Sequence, residues 1–422
     1  MEDKMNWAGN YRYGSLELLE PGSPEEVREM VLRSRRIRVL GSRHSFNGIA
    51  DTDGSQLSLR KLNRVIELDP VQGTVTVEGG IRYGDLCRYL NDHGYALHNL
   101  ASLPHISVAG AVATATHGSG DRNAGLADAV RAIELVKSDG ETAVLTRGTD
   151  GEFEGAVVGL GGLGVVTKLK LDVVPAFQVS QTVYDELPFS ALDSGINEIF
   201  SSAYSVSLFT NWERPVFNQV WVKRKVEADG EDASAGASSN FFGASPAPEK
   251  RHPVPGQSAV NCSEQLGVPG PSYERLPHFR MDFTPSAGNE LQSEYFVPRR
   301  HAFEALRALE GLRDRIAPLL FISEVRTIAA DNFWMSPCYR QDSVGLHFTW
   351  KPDWERVRQV LPLIERELEP FEARPHWGKL FTMEPARVQA LYERLTDFRQ
   401  LLLRYDPAEK FRNAFLDTYI GQ

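Results

Sequence analysis

Four short stretches of this chain carry side chains able to do chemistry. The first is Gly41-Ser42-Arg43-His44-Ser45-Phe46-Asn47, which follows the apolar residues Ile37, Val39 and Leu40. An apolar run closed by glycine and serine reads as a buried strand ending in a tight turn, so His44 is expected on a loop braced from behind. A loop held in this way suits a ligand; the plainer alternative is a histidine that only hydrogen-bonds within its turn. The second stretch is Leu319 to Ile328, a strand-like run in which Glu324 and Arg326 lie two apart and so share a face. Charges on a mostly apolar strand need partners or a purpose, and the competing explanation is an ion pair inside a second domain. In the third, Val344 to Trp350, His347 and Thr349 share a face in the same way. If the two strands are neighbours, a carboxylate, a guanidinium, an imidazole and a hydroxyl converge, a set matched to a ligand covered with hydroxyl groups. In the fourth, Lys379 stands three residues after His376.

Two stretches rich in small residues add backbone rather than side-chain chemistry. Residues 101–120 run Ala-Ser-Leu-Pro-His-Ile-Ser-Val-Ala-Gly-Ala-Val-Ala-Thr-Ala-Thr-His-Gly-Ser-Gly, which lets main-chain N–H groups approach a bulky ligand or a diphosphate. A tightly packed small-residue helix is the alternative. Gly159-Leu160-Gly161-Gly162-Leu163-Gly164 has the spacing G-x-G-x-x-G. The β-rich run Val165 to Leu171 follows it, so the strand, turn and helix of a nucleotide-binding unit are missing. A glycine loop that touches a ligand by backbone stays open.

The elements that must position these groups are mixed α and β. Ser23-Pro24-Glu25-Glu26 has the N-cap, first-turn proline and third-position glutamate of a capping box, and predicts a helix to about Ser34. Thr74 to Glu78 reads as a strand, and Leu86, Cys87, Tyr89 and Leu90 mark a helix that stops at Gly94. Residues 129–146 read as a hairpin around Asp139-Gly140, and Val165 to Leu171 as an alternating strand ending before Pro175. Lys225 to Lys250 is poor in large apolar residues and is expected as a mobile loop inside the second domain. Val388, Leu391, Tyr392, Leu395, Phe398, Leu402 and Leu403 predict one helix, broken at Asp406-Pro407.

The whole chain sets bounds on function. At 422 residues with 42% hydrophobic content, two domains are expected. A net charge of -10 disfavours nucleic acid and anionic membranes as partners. Cys87, Cys262 and Cys338 are far apart and form no C-x-x-C pair, so they are expected reduced and structural. The N-terminal residues lack the apolar stretch of a secretory signal and no run is long enough to span a bilayer, which makes the cytoplasm the expected location. His93, His98, His105 and His117 fit no short zinc-ligand pattern, and no G-x-S-x-G elbow is present, so neither a metal nor a serine hydrolase is expected.

In the order G-S-x-H-S, A-S-L-P-H-I-S-V-A-G, T-H-G-S-G, then a glycine cluster ahead of a strand, the chain resembles the sugar-oxidising branch of the vanillyl-alcohol-oxidase-type flavoproteins. The likeness continues through Ala203 to Ser207, His252 to Gly256 and Arg374 to Lys379, and so spans nearly the whole chain. It implies an α+β, two-domain FAD-binding fold. Two α+β subdomains around FAD would occupy residues 1–175, a substrate (cap) domain with an antiparallel sheet 176–372, and a segment returning to the first domain 373–422. Asp406-Pro407, Lys410-Phe411 and Asn413 resemble that returning tail.

The resemblance also implies site residues. FAD would be covalently attached through His44, with Gly41, Ser42, Arg43, Ser45, Phe46, Asn47, Ser102, Ser107, Gly110, Thr114, Ala115, Thr116, His117, Val165 and His376 as further cofactor contacts. Ser102, Glu324, Arg326, Thr349 and Lys379 match alditol-binding positions. The implied reaction converts the terminal primary alcohol of an alditol such as xylitol or sorbitol to the aldose by hydride transfer to flavin N5, with O2 reduced to H2O2. Cations near a developing alkoxide help such a step, so Arg326 and Lys379 are the expected catalytic residues. Glu324 and Thr349 would hold hydroxyls farther along the polyol. A monomer is expected. The competing readings are an aldonolactone oxidase or dehydrogenase of the same family, and a non-catalytic flavin- or sugar-binding protein.

Overall fold

Ser23 begins the first helix as predicted. Its Oγ accepts a hydrogen bond from the Glu26 amide at 3.2 Å, and the helix runs Pro24–Arg33. The Glu26 carboxylate takes the Gly22 amide at 2.7 Å, not the Ser23 amide, so the capping box closes one residue early. Val27 and Val31 on the buried face of this helix pack with Leu19, Ile37 and Leu57. Those residues come from a small parallel sheet in which Ser55–Leu57 lies between Glu17–Leu19 and Ile37–Val39. The computed structural model describes residues 4–226, 240–283 and 288–421.

A second sheet is antiparallel and runs in the order Val65–Asp69, Thr74–Glu78, Val165–Asp172, Val130–Val136, Thr142–Thr146. The predicted hairpin is its last pair, and Gly140 supplies the turn's positive φ of 78°. In Val165–Asp172 buried and half-buried residues alternate strictly, as a strand covered on one face requires. The third sheet has nine strands, whose central order is Val216–Val226, Ser205–Thr210, Leu320–Ile328, Ser343–Trp350, Leu291–Pro298 and Arg374–Pro375. Every residue of Ser343–Trp350 is buried, so polar groups on this strand must be satisfied by protein or ligand. The architecture is α+β, as expected.

Two expectations are revised. The helix predicted from Val388 to Leu403 is two helices, Pro385–Ala390 and Leu395–Tyr405. The intervening turn brings the Tyr392 ring to 4.9 Å from that of Trp377, and Leu403 faces solvent at 57% exposure. Of the stretch expected as one mobile loop, Lys225 and Val226 end a strand and residues 227–239 lie outside the described residues. Its last part is packed: Phe241 is buried and stacks on Tyr184 at 4.9 Å, and Ser245–Pro246 pairs with the edge of the large sheet. A single aromatic anchor outweighs the polar composition around it. The glycine cluster holds a buried cation, and its Leu160, Gly161 and Gly164 also line the cavity described below, so contact with a ligand by backbone stays open. Leu160 and Gly161 adopt positive φ and both their carbonyls accept from the Arg38 guanidinium, at 2.9 and 2.8 Å.

Arg38 also donates to the carbonyl of Phe411 at 2.7 Å, and Asn413 donates to those of Gly48, Ile49 and Asp51. These bonds tie the chain's last segment to the strand and loop around His44. The three cysteines are unpaired and buried. Among the described residues, no helix is long and apolar enough to cross a membrane.

Candidate active site

A cavity of about 510 Å³ runs between the His44 loop, the small-residue segment and the central strands of the large sheet. That volume lies within the range of small-molecule sites, roughly 300 to 1,000 Å³. Gly41 to Phe46, Ser102, Ser107, Gly110, Thr114, Thr116, His117, Glu324, Arg326, Thr349, His376 and Lys379 all line it. Residues more than 300 positions apart in sequence are thus brought to one space. Three expected cofactor contacts are not on its wall. Val165 packs in the small core with Leu19 and Val27, and Ala115 is buried at a positive-φ turn behind the wall. Asn47 works from outside, donating to the carbonyls of Trp377 at 2.9 Å and Lys379 at 2.8 Å. Together with the Phe46 amide, which donates to Gly378 at 2.8 Å, it locks the His44 loop to the turn that carries His376 and Lys379.

The His44 loop is also braced by the N-terminal segment. Trp7 N–H donates to the Arg43 carbonyl, Asn6 to that of Ser45, and the Trp7 ring stacks on His44 at 4.7 Å. His44 Nδ1 lies 3.0 Å from the Ser42 carbonyl, which can only accept, so Nδ1 carries the ring proton. Its Nε2 lone pair then faces His105 Nε2 at 2.8 Å, making His105 the donor. Burial pushes His44 down to about 3, reinforced by His105, and His105 down to about 4. Both rings are neutral near pH 7, and His44 presents an unprotonated, nucleophilic nitrogen.

FAD, the cofactor implied by the resemblance, needs close backbone approach and polar groups with unspent hydrogen-bonding capacity. Ser107 Oγ has that capacity: it is buried, lines the cavity and has no hydrogen-bond partner. It sits between Gly41 and Gly110, where a Cβ at either position would come within 2.7 Å of it. Only glycine at both places leaves room for this hydroxyl between the two backbones. The residues present fit the cofactor.

At the other end, side chains converge in rows set by strand register. Glu324 pairs with His347 and His347 with Glu294, so three polar side chains cross three neighbouring strands in one line. Thr349 lies two residues beyond, its hydroxyl 3.0 Å from His347 Nε2. Gly345, opposite Arg326, leaves room for the guanidinium to reach over it to Glu294 at 3.1 Å. Glu294 also accepts from Lys379 Nζ at 2.6 Å, and it lies 3.1 Å from His117 Nε2 and 3.5 Å from His347 Nδ1.

Electrostatics follow from these contacts. Burial opposes ionisation of Glu294, but Lys379, His117 and Arg326 outweigh it and hold the carboxyl well below its ordinary range. Burial likewise opposes ionisation of Glu324, and Arg326 with His278 overcomes it. Lys379 is lowered by burial, with Glu294 acting in the opposite sense. Burial and Lys379 together push His347 down to about 4. Glu294 and Glu324 therefore balance Arg326 and Lys379, while the third carboxyl on the wall, Glu290, is raised by burial. Arg326 and Lys379, the expected catalytic cations, are both anchored on Glu294. Each retains donor capacity. Arg326 Nε is buried without a hydrogen-bond partner, and Lys379 spends two of its three N–H donors, on Glu294 and on His347 Nδ1 at 2.8 Å.

Glu294 and His278 were not among the residues picked out from sequence. Glu294 has the signature that singled out Glu324, a carboxylate inside the apolar strand Leu291–Pro298. His278 lies in an irregular segment with no periodicity to mark it. Other missed lining groups are Trp7, His105, His252, Phe279, Glu290 and Gln292.

Comparison with known proteins adds independent findings. Residues 16–146 match the family described as an FAD binding domain, and residues 285–419 the family described as D-arabinono-1,4-lactone oxidase. The chain is 49% identical to an alditol oxidase from a Streptomyces species, over 97% of each chain. It is 29% identical to L-gulono-1,4-lactone dehydrogenase of Mycobacterium tuberculosis, over 99% of this chain and 98% of that one. Cholesterol oxidase from Brevibacterium sterolicum superposes with a TM-score of 0.77 at 14% identity, covering 99% of this chain and 96% of its own, a likeness of fold.

Proposed function

This chain belongs to the alditol oxidase family of FAD-linked oxidoreductases and has their vanillyl-alcohol-oxidase-type fold, and from that premise we propose that it oxidises the terminal primary alcohol of xylitol or sorbitol to the aldose. When bound, FAD supplies the hydride acceptor, and O2 is the terminal oxidant, giving H2O2. The observation that carries this reading is the wall built by Glu324, His347, Thr349, Arg326 and Lys379, which lies in the same cavity as the His44 loop. Hydroxyl groups both donate and accept, and this wall offers both partners in a space walled by buried side chains.

Each residue has a part in the chemistry. Lys379 directs its remaining N–H to the alcohol oxygen, and Arg326, paired with Glu324 and Glu294, adds its charge from behind. Because Glu294 balances both cations, the developing charge is met chiefly by an aimed donor, not by surplus positive charge. Glu324 and Thr349 hold hydroxyls farther along the polyol and fix which carbon reacts. Ser102 lines the same cavity and completes the substrate set. His44 is the covalent tether of FAD, a role suited to its neutral, nucleophilic ring. Ser107, Gly110 and the Thr114 to His117 turn hold the cofactor on the small-residue side.

The lactone reading of the same site makes a different demand. An aldonolactone keeps hydroxyls that Glu324 can accept from, but at its closed end it presents a carbonyl and a ring oxygen that only accept, where an alditol presents a further hydroxyl donor. The deciding experiment supplies the holoprotein with xylitol, sorbitol or L-gulono-1,4-lactone, following peroxide in air and flavin bleaching without it. Bleaching by the alditols with peroxide release is expected. Faster bleaching by the lactone would overturn the assignment.

A further inference from the structure

Behind Glu324, away from the cavity, lies a lysine with no obvious reason to be there. Lys223 is only 1% exposed, in the strand Val216–Val226, and is not part of the cavity wall. A buried ammonium is costly unless its hydrogen bonds are spent on something specific. Its Nζ donates to the Leu276 carbonyl and lies 3.3 Å from His278 Nδ1. Burial lowers Lys223 to about 7; charged or neutral it can donate to Nδ1, and because the ionised Glu324 can only accept, the ring proton sits on Nε2. That nitrogen donates to Glu324 Oε1 at 2.8 Å. Phe209 and Trp221 meet the His278 ring edge-on at 5.5 and 5.1 Å, fixing its plane. We propose that Lys223 and His278 form a relay of positioning residues that presents Glu324 to the cavity as a pure hydrogen-bond acceptor, and so sets the site's preference for substrates rich in hydroxyl donors.

The relay rests on the assignment of Glu324 to substrate hydroxyls. Burial pushes His278 down to about 4, which keeps its ring neutral near pH 7, the state the relay needs. Without Lys223 the Nδ1 lone pair is unmet, so the ring is free to tilt or to take a second proton there, and its hold on the Glu324 carboxylate is no longer fixed in direction. Arg326 Nε, 3.5 Å from the same Oε1, would be left to hold the group alone.

The test combines a double-mutant cycle with a direct view of the ring. Lys223→Met should raise KM for xylitol by roughly 10- to 100-fold, the scale of one charge-assisted hydrogen bond, and change kcat less. In a Glu324→Gln background the same substitution should change KM by under about threefold, because the group it acts through is gone. Equal losses in both backgrounds would mean a merely structural role and overturn the relay. His278→Gln supplies the same cycle should Lys223→Met fail to fold. Nitrogen-15 NMR of the histidine-labelled holoenzyme should find His278 neutral with Nε2 protonated; an Nδ1-protonated or doubly protonated ring overturns the proposal. That spectrum needs no substrate. Failure of the wild type to oxidise xylitol would therefore count against the proposed function, while the tautomer alone would decide the relay.

Discussion

Replacing Glu294 by glutamine probes the hub of the site. The change is nearly isosteric, so its effect comes from charge and donor pattern. Glu294 Oε2 accepts from Lys379 at 2.6 Å, while Oε1 lies 3.1 Å from both Arg326 Nη2 and His117 Nε2. A glutamine keeps one acceptor oxygen and turns the other into an NH2 donor. Either the ammonium or the guanidinium must then face a donor, inside a region where the Glu294 side chain has 0% exposure. Breaking a buried ion pair by removing one partner costs about 3–5 kcal/mol, and with no solvent at the site nothing screens the loss. Urea denaturation of the holoprotein at neutral pH, followed by circular dichroism, should show a loss of this size. The pH dependence has a definite sign. Because the folded-state carboxyl is held well below its unfolded value of about 4.3, its stabilisation is fully present above that pH and is lost as pH falls towards the folded value. Glu294→Gln should therefore flatten the acid limb of the stability curve as well as lower its plateau. A variant within about 1 kcal/mol of wild type, with an unchanged acid limb, would refute the account of Glu294 as the anchor of both cations.

Further outcomes are expected. Lys379→Ala should leave the protein yellow but slow anaerobic flavin reduction by xylitol about 10²- to 10³-fold, the usual effect of deleting one donor to a developing oxyanion; unchanged single-turnover reduction would contradict its role. His44→Ala should yield a colourless pellet on acid denaturation while the wild-type pellet stays yellow, and colour retained by the variant pellet would rule out the tether. His278 and His347 are both held down to about 4 by burial. Each stays neutral when folded while its unfolded counterpart, near 6.5, gains a proton, so stability should fall by a few kcal/mol as pH drops from about 6.5 to 4. A flat urea midpoint across that window would show that these rings are charged in the folded protein.

Much of the local structure is legible in the chain because its causes are local. Ser23 and Pro24 announce a helix start, the β-branched run Thr74 to Glu78 a strand, and Asp139-Gly140 a hairpin. Glu324 with Arg326, and His347 with Thr349, were legible as same-face pairs because strand geometry has period two. The two-helix break after Ala390 was not, because the aromatic contact between Tyr392 and Trp377 overrides a continuous apolar period. Phe241 shows the same effect in a stretch whose composition reads as loop. Lys223 sits in Val-Lys-Arg-Lys-Val, where nothing in the local pattern marks it for burial; its partners come from the distant Leu276 to His278 segment.

The chain by itself therefore determined the mixed α and β content, the histidine loop, and the two strands whose polar pairs line the cavity. Its order of motifs also pointed to the flavoprotein family that the 49% identity establishes. Only the tertiary structure decided which charges are free. Glu294 meets groups from the strand Leu320–Ile328, the strand Ser343–Trp350, the turn after Arg374–Pro375 and the segment around His117. Those partners are set by the order of strands in the sheet, and pairing across strands leaves no periodic trace in any one of them. A charge's chemistry depends on what lies within a few ångströms, and sequence spacing carries that distance only along a single element.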